Sequence, residues 1–240
     1  MARTIVVSGG GTGIGRAVAA RFAADGDRVV VIGRRAEVLE KAAGEIGGTA
    51  LPADLGDPAE VERVRTELAE RFGSVDVLVN NAGGNADNHG RPAGVAERWT
   101  SNFRINVLTS VLPTEALRDL LNPSGAVVFV SSIAALRGSG GSSYGPMKAA
   151  LHPYACDLAA ALGPRGVTVN VVAPGYIEDT EFFGDVMTGE RRAAQIAQTH
   201  TGRAGTPGDV AETVHWLASP GARHVTAQII QVNGGAERGR

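Results

Sequence analysis

The chain has 240 residues, a formal net charge of −2, five histidines and one cysteine. This charge gives no indication of nucleic acid or an anionic membrane as partner, and a single cysteine excludes an intrachain disulfide and a thiolate metal cluster. No apolar run approaches the roughly 20 residues of a membrane-spanning helix, the N-terminal apolar run is too short for a signal peptide, and the histidines form no ligand-spaced cluster. We therefore expect a soluble cytoplasmic protein of one domain, residues 1–240, without a metal site.

The first predicted unit is a strand, a glycine-rich loop and a helix. Residues 4–7 are apolar and β-branched, and residues 16–24 have helical periodicity. A glycine-rich turn alone is usually only a turn, but glycines in this context let the backbone approach a pyrophosphate at a helix N-terminus. The unit therefore predicts a dinucleotide site, with contacts from Gly9, Thr12, Gly13, Ile14 and Gly15.

The second predicted strand, residues 28–32, ends in a basic pair, Arg34 and Arg35. In such a unit, an acid at this strand end hydrogen-bonds the ribose hydroxyls of NAD, whereas arginine accommodates the 2′-phosphate of NADP. The acid Glu37 lies beyond the loop. Surface arginines are common in this chain, yet two guanidinium groups suit a phosphate, so we favour NADP and keep NAD as the alternative.

The rest of the chain continues the alternation of strand and helix with short connections. Strands are predicted at residues 49–52, 75–79, 125–130, 167–172 and 227–232, and helices at 36–46, 58–72, 97–121, 143–163 and 207–218. Right-handed crossovers then give a single-domain α/β fold, a doubly wound parallel sheet of seven strands with helices on both faces.

Several polar positions stand out against this pattern. Asp54 and Leu55 follow the third strand, where we expect contact with adenine, and Asn106 is unfavourable inside a helix, which indicates a local distortion or a function. Residues 84–95 form a polar loop in which we interpret His89 as a surface residue. Residues 181–204 carry aromatic side chains among polar ones, which is typical of a lid over a substrate.

Tyr144 and Lys148 are four residues apart, a spacing that places both on one face of a predicted helix. An ammonium beside a phenol lowers the tyrosine pKa from about 10 and makes a proton-transfer device. The simpler interpretation is an ordinary surface pair. Among the 23 basic residues only Lys41 and Lys148 are lysines, however, and this favours a function for Lys148.

The motifs of the chain, in order along nearly its whole length, resemble those of the short-chain dehydrogenase/reductase family. The cofactor motifs are Ser8-Gly9-x3-Gly13-Ile14-Gly15, then Asn80-Asn81-Ala82-Gly83, then Pro174-Gly175 with Ile177 and Thr180. The resemblance implies that Asn81, Ala82 and Gly83 line the cofactor and that the segment after Pro174 contacts the nicotinamide. Thr180 stands one residue later than is usual in the family.

The same resemblance implies a catalytic set of Asn106, Ser132, Tyr144 and Lys148. In the family, Tyr144 would be the general acid or base, Lys148 would lower its pKa and bind the nicotinamide ribose, Ser132 would hold the carbonyl oxygen, and Asn106 would anchor a relay water. The usual separation of serine and tyrosine is thirteen residues, which fits Ser131. We choose Ser132, the second serine of the pair, with a one-residue deletion in the following loop.

The resemblance makes an NADPH-dependent ketoreductase the leading expectation. Its substrate would be a ketone of the β-ketoacyl or polyketide type, free or bound to a carrier protein, as in 3-oxoacyl-(acyl-carrier-protein) reductases. The alternatives are an NAD(P)-dependent alcohol or sugar dehydrogenase, and a non-catalytic NADP-binding sensor. The family also implies a homotetramer in which helices 97–121 and 143–163 pack between subunits.

Overall fold

The computed structural model describes residues 2–86, 92–138, 140–184 and 187–238, so the predicted surface position of His89 lies outside the described residues. Its centre is a sheet of seven strands: β1 Thr4–Ser8, β2 Arg28–Gly33, β3 Thr49–Pro52, β4 Val75–Asn80, β5 Leu121–Val130, β6 Thr168–Pro174 and β7 Ile229–Val232. The strand order is β3-β2-β1-β4-β5-β6-β7, and every pairing is parallel. The predicted seven-stranded, doubly wound sheet is confirmed.

Helices cover both faces of the sheet. They are α1 Gly13–Ala24, α2 Ala36–Ile46, α3 Pro58–Phe72, α4 Pro92–Phe103, α5 Thr109–Leu117, α6 Ala134–Arg137, α7 Tyr144–Ala149, α8 Leu151–Leu162, α9 Gly189–Ile196 and α10 Pro207–Leu217. Alternate strand residues face opposite layers, which is why whole strands are buried rather than half-buried. In β1, Val6 belongs to the core with α3, α5 and α8, whereas Ile5 and Val7 belong to the core with α1, α2 and α10.

The long helix predicted at residues 97–121 is three elements. It begins earlier, at Pro92, widens into a π-helix at Arg104–Leu108, and ends at Leu117, while Leu121 opens β5. The π-helix has a local cause. The side chain of Asn106 donates to the backbone carbonyl of Asn102 at 3.0 Å, the acceptor that an α-helix reserves for the backbone N–H of Asn106.

Two other predicted segments differ from the structure. The helix predicted at residues 143–163 is divided at Ala150 into α7 and α8, because Pro153 has no N–H to donate to the carbonyl of residue 149. Between Ser132 and α7 the chain forms a short helix, α6, and the predicted lid contains the helix α9. Thr188 caps α9 by accepting a hydrogen bond from the backbone N–H of Arg191.

Candidate active site

The candidate site lies at the carboxyl edge of the sheet, where the strand order reverses. β1 pairs with β2 on one side and with β4 on the other, so the connections leave β1 and β4 in opposite directions. Ligands of open parallel sheets bind in the crevice that this reversal creates. The strand ends that border it carry Ser8, Asn80, Val130 and Pro174.

The glycine loop after β1 forms a cradle with no space for side chains. Gly9 has a φ of +65°, and a β-carbon there would lie 2.8 Å from Nδ2 of Asn81. A β-carbon at Gly10 would lie 2.5 Å from the side chain of Val31, and one at Gly15 would overlap the carbonyl oxygen of Gly9. The loop therefore has no side chains at the positions where we expect a ligand to approach its main chain.

The N-terminus of α1 is open to an anion. The side chain of Thr12 makes no capping hydrogen bond, the first turn contains no acidic residue, and Gly13 has a φ of +51°. The first N–H groups of the helix and the positive end of its dipole thus face the crevice without an internal capping partner. These residues fit a pyrophosphate, and the side chain of Ile14 packs into the core behind them.

The hydroxyl of Ser8 holds the next motif in place. It accepts hydrogen bonds from the backbone N–H groups of Asn81 and Ala82, both at 2.9 Å. The side chain of Asn81 donates in return to the carbonyl oxygens of Ser8 and Gly9, at 3.0 and 3.3 Å. The structure therefore joins the first two cofactor motifs into one surface.

The residues predicted to contact the adenosine end of the cofactor differ in how accessible they are. Arg34 and Arg35 are exposed at the end of β2, as a phosphate site requires. Asp54 accepts from the backbone N–H of Gly56 at 2.9 Å and pairs with Arg104 at 3.2 Å. Leu55 is buried in the core, 3 % exposed, so any adenine contact there comes from its backbone.

Tyr144 and Ser132 meet at the centre of the site. Burial raises the pKa of Tyr144 to about 12, and a hydrogen bond with the side chain of Ser132 acts in the opposite direction. The Ser132 hydroxyl also accepts from the backbone N–H of Ala134 at 3.1 Å. Ser131 points elsewhere: its hydroxyl lies 2.8 Å from Nε2 of His152. The structure therefore brings Ser132, and not Ser131, to Tyr144.

Lys148 is buried one helical turn beyond Tyr144, with 3 % of its surface exposed. Its Nζ donates to the carbonyl oxygen of Val130 at 2.8 Å, and burial lowers its pKa from 10.5 to about 8. The expectation that Lys148 lowers the pKa of Tyr144 stays a prediction, because burial is the largest influence on that pKa here. The two groups share a desolvated environment that disfavours both charged forms, and the net result is a raised tyrosine pKa.

Gly83 leaves a space that the side chains of Lys148 and Asn106 both face. A β-carbon at Gly83 would lie 2.8 Å from Oδ1 of Asn106 and 2.9 Å from Nζ of Lys148, so both groups converge on the space that this glycine leaves. Asn106 is held by Gly84, whose N–H donates to Oδ1 at 3.2 Å and whose carbonyl oxygen accepts from Nδ2 at 2.9 Å. Asn106 and Lys148 thus face one space, and Tyr144 lies one helical turn before Lys148 on α7.

The segment after β6 closes the other side of the crevice. The carbonyl oxygen of Pro174 accepts from the N–H of Ile133 at 2.8 Å, and Gly175 packs so closely on Asn233 that a β-carbon would lie 2.7 Å from it. Ile177 is buried. Thr180 donates to the carbonyl oxygen of Ile177 at 3.3 Å, and its methyl group would lie 3.4 Å from a β-carbon at Gly13.

An aromatic group from the predicted lid lies over the tyrosine. The ring of Phe182 is 5.2 Å from that of Tyr144 between centroids, and Phe183 is 5.0 Å from Phe182 and 5.5 Å from Tyr176. Phe182 is 43 % exposed. The space beside the tyrosine hydroxyl therefore has an apolar wall.

Comparison with known proteins agrees with this fold. Residues 9–237 match the family model described as enoyl-(acyl carrier protein) reductase. The chain is 34 % identical over 236 residues to the 3-oxoacyl-(acyl-carrier-protein) reductase FabG of Escherichia coli K12, covering 96 % of this chain and 95 % of the relative. It is also 34 % identical to FabG of Staphylococcus aureus strain Mu50, covering 98 % of both chains.

Two solved structures are similar over nearly the whole chain. One is a short-chain dehydrogenase/reductase from Brucella melitensis, described as a glucose/ribitol dehydrogenase, with a TM-score of 0.88, 30 % identity, and coverage of 99 % of this chain and 97 % of the other. The second is a short-chain dehydrogenase from Burkholderia cenocepacia J2315 in complex with NADP, with a TM-score of 0.87, 31 % identity, and coverage of 98 % and 97 %. The chain belongs to the short-chain dehydrogenase/reductase family. It is therefore an oxidoreductase.

Sequence reasoning missed one buried residue of this short-chain dehydrogenase/reductase site, Asn102. Its side chain accepts from the N–H of Ala86 at 3.0 Å and donates to the carbonyl oxygen of Ala86 at 3.2 Å and to the hydroxyl of Ser143 at 2.8 Å. Asn102 thus ties the loop after β4 to the residue preceding Tyr144. Its position one helical turn before Asn106 was the available signal, because a polar residue there faces the same side.

In the part of the chain that the structure describes, no helix is long and apolar enough to cross a membrane. Among the same residues, no three or more His, Cys, Asp or Glu side chains group in a way that would hold a metal ion.

Proposed function

We propose that the protein is an NADPH-dependent ketoreductase that acts on a β-ketoacyl or related ketone. The observation that carries the proposal is the position of Ser132, whose side chain lies close enough to Tyr144 to lower its pKa, in a desolvated site that also contains Lys148. This arrangement lies beside a glycine cradle that fits a pyrophosphate. Serine and tyrosine hydroxyls that meet at one point suit the binding and protonation of one carbonyl oxygen.

The cofactor, when bound, supplies the hydride; the protein orients it and manages the proton. Hydride addition leaves negative charge on the carbonyl oxygen, which Ser132 would hold and Tyr144 would protonate. A pKa of about 12 keeps Tyr144 protonated at neutral pH, as a proton donor must be. An alkoxide is a stronger base than a phenolate, so the transfer is favourable. This supports reduction as the working direction.

Lys148 and Asn106 would support the proton donor. Lys148 is held by Val130 with its ammonium directed at the space beside Gly83, where we expect it to bind the ribose next to the nicotinamide. Asn106 Oδ1 faces the same space. The role of Asn106 in returning protons to Lys148 through a water stays a prediction.

Binding of NADP rather than NAD is supported by the two exposed arginines, Arg34 and Arg35, at the end of β2. A similar short-chain dehydrogenase, at 31 % identity, was solved with NADP. The pyrophosphate would bind at Thr12, Gly13 and Gly15, and the nicotinamide near Thr180. NAD stays the alternative.

The substrate class is supported by the FabG relatives, which are named for reduction of 3-oxoacyl groups on acyl carrier protein. Phe182 gives the site an apolar wall next to Tyr144, which suits an acyl chain. We propose a 3-oxoacyl thioester as substrate, on a carrier protein or on a smaller thiol. The cytoplasmic location expected from the sequence stays a prediction.

The test is a substrate screen that follows NADPH absorbance, with acetoacetyl thioesters, simple ketones and an enoyl thioester, and in the reverse direction glucose and ribitol with either oxidised cofactor. We expect reduction of the 3-oxoacyl thioester by NADPH. Tyr144→Phe should abolish turnover while it retains NADPH binding. Tyr154→Phe, the same change at a tyrosine bonded to Glu115, should stay active.

Other results of the screen select the alternatives. Oxidation of glucose or ribitol without ketone reduction would replace the proposal by a sugar dehydrogenase, the activity for which the similar Brucella melitensis protein is named. Tight NADPH binding without turnover of any substrate would indicate a sensor. Full activity in Tyr144→Phe would overturn the mechanism.

We further propose that the protein works as a homotetramer. Val95, Trp99 and Phe103 are spaced by four along α4 and are 37 %, 43 % and 43 % exposed. Three large apolar side chains on one helix face are typical of a surface that another protein covers. We assign this face to a second copy of the chain, since the family resemblance implies helix packing between subunits here.

A further inference from the structure

The carboxylate of Glu181 reaches the cofactor cradle from a distant part of the chain. Its Oε2 accepts from Nη2 of Arg35 at 2.8 Å, a contact between residues 146 apart in sequence. The same oxygen lies 3.5 Å from Oγ1 of Thr12, and Nη2 of Arg35 lies 3.4 Å from that hydroxyl. The three side chains therefore form one closed group.

The backbone around Glu181 explains how it arrives there. Asp179 has a φ of +58°, which places a left-handed residue in the segment after β6, two residues before Glu181. Thr180 then lies against Gly13, where its methyl group would be 3.4 Å from a β-carbon. The next residue, Glu181, thus reaches the pair Thr12 and Arg35.

Arg35 is also one of the two arginines assigned to the 2′-phosphate of NADP. Carboxylate and phosphate groups use the same N–H donors of a guanidinium, so one arginine cannot serve both fully. A carboxylate a few ångströms from a phosphate also repels it. NADH has no phosphate at this position, and its binding does not require Arg35 to be released.

We propose that Glu181 is a specificity-determining residue that competes with the 2′-phosphate of NADP for Arg35. The proposal rests on the function proposed above, because it takes the dinucleotide to bind in this cradle. The relative affinity for NADP and NAD is then set by three side chains. The adjacent Arg34 and Arg35 favour NADP, and Glu181, from the loop after β6, opposes this preference.

The expected effect is moderate because both partners are largely exposed, 57 % for the side chain of Arg35 and 61 % for that of Glu181. Loss of an exposed ion pair changes a binding constant by up to about fivefold. Removal of the repulsion acts in the same direction. We expect Glu181→Gln to lower the Kd for NADPH by about fivefold and to leave the Kd for NADH within about twofold.

The experiment measures both dissociation constants, by fluorescence or calorimetry, for the wild type and Glu181→Gln. Glu190→Gln, which removes an exposed carboxylate in the first turn of α9, is the matched control and should change neither constant. In Arg35→Ala, the additional change Glu181→Gln should tighten NADPH binding less than it does in the wild type, because the competition for Arg35 is gone and only the repulsion remains to be removed.

Each outcome decides between the possibilities. The competition is overturned if Glu181→Gln leaves NADPH binding unchanged or tightens both cofactors equally. In that case, weaker NADPH binding by Arg35→Ala would still support NADP as the cofactor. A wild-type protein that binds neither dinucleotide overturns the proposed function and the competition together. Selective tightening of NADPH that is clearly smaller in the Arg35→Ala background supports the proposal, and tightening of equal size in both backgrounds overturns the competition for Arg35.

Discussion

The hydroxyl of Ser131 lies 2.8 Å from Nε2 of His152, while the side chain of the adjacent Ser132 acts on the pKa of Tyr144. The Ser131 hydroxyl also lies 3.2 Å from the carbonyl oxygen of Lys148, so both of its contacts are with the helices α7 and α8. Burial lowers the pKa of His152, which keeps its ring neutral at pH 7. Two neighbouring serines are thus assigned to different tasks, one to helix packing and one to the site.

Substitution of the two serines should separate these tasks. We expect Ser132→Ala to lower kcat by about 100-fold, because a donor to the developing negative charge is lost. Ser131→Ala should lower kcat less than tenfold and mainly reduce the melting temperature. Steady-state kinetics and thermal unfolding of both variants check this. A larger loss of kcat from Ser131→Ala would reverse the choice of serine.

The buried ammonium of Lys148 should give the pH dependence of reduction. Its pKa of about 8 means that the charged form is lost as pH rises through 8, while Tyr144 stays protonated up to about 12. We expect kcat/KM to be constant below pH 8 and to fall about tenfold per pH unit above it, if the ammonium is the active form. A profile that stays flat to pH 10 would contradict this.

Lys148→Met should abolish turnover and increase the free energy of unfolding. A pKa lowered from 10.5 to about 8 corresponds to a cost on the order of 3 kcal/mol for the charged lysine. The variant leaves the carbonyl of Val130 without its donor, which costs about 1–3 kcal/mol, so we expect a net gain of about 1 kcal/mol at pH 7. Turnover should be lost.

The sign of this effect can be tested by denaturant unfolding at several pH values. Below pH 8 the lysine is charged in both states, and the full cost is present. Between pH 8 and 10.5 the unfolded chain binds a proton that the folded chain does not, so wild-type stability rises with pH. The advantage of Lys148→Met should therefore shrink over this window; a growing advantage would show that burial is not the cause.

Asn102→Leu should damage the proton donor without weakening the cofactor. The substitution leaves both polar groups of Ala86 and the hydroxyl of Ser143 without a partner, which we expect to cost about 2 kcal/mol of stability. Because Ser143 precedes Tyr144, kcat should fall about tenfold while the Kd for NADPH stays within twofold. Asn122→Leu, at the start of β5, should lose stability but keep kcat. If Asn102→Leu and Asn122→Leu changed kcat equally, Asn102 would have only a structural role.

Trp99→Glu should break the proposed assembly. A carboxylate at a side chain that is 43 % exposed costs the single chain little, but it is unfavourable in an apolar interface. We expect light scattering after size exclusion to give a tetramer for the wild type and smaller species for the variant. Glu40→Lys, on the exposed face of α2, is the control and should keep the wild-type mass. Identical masses for the wild type, Trp99→Glu and Glu40→Lys would show that this face of α4 is not a subunit interface.

The sheet could be predicted because its signals are local. Apolar strands such as the predicted one at residues 125–130 alternate with periodic helices, and the order of strands follows from handed crossovers. The site could be predicted where polar residues end those strands. The contact of Glu181 with Arg35 could not, because it joins residues 146 apart through a turn at Asp179. The raised pKa of Tyr144 also needed the structure, since spacing in sequence gives proximity but not burial.

The bonds that Ser8 makes with Asn81 and Ala82 concern the thermodynamics of binding as much as the shape of the site. They fix the backbone between two strands by contacts within the chain itself, before any dinucleotide arrives. A ligand that docks there loses its own freedom but orders few protein bonds, so little conformational entropy of the protein opposes association. Ser8→Ala should then appear in calorimetry as a more unfavourable binding entropy, because the amides of residues 81 and 82 would be ordered only on binding.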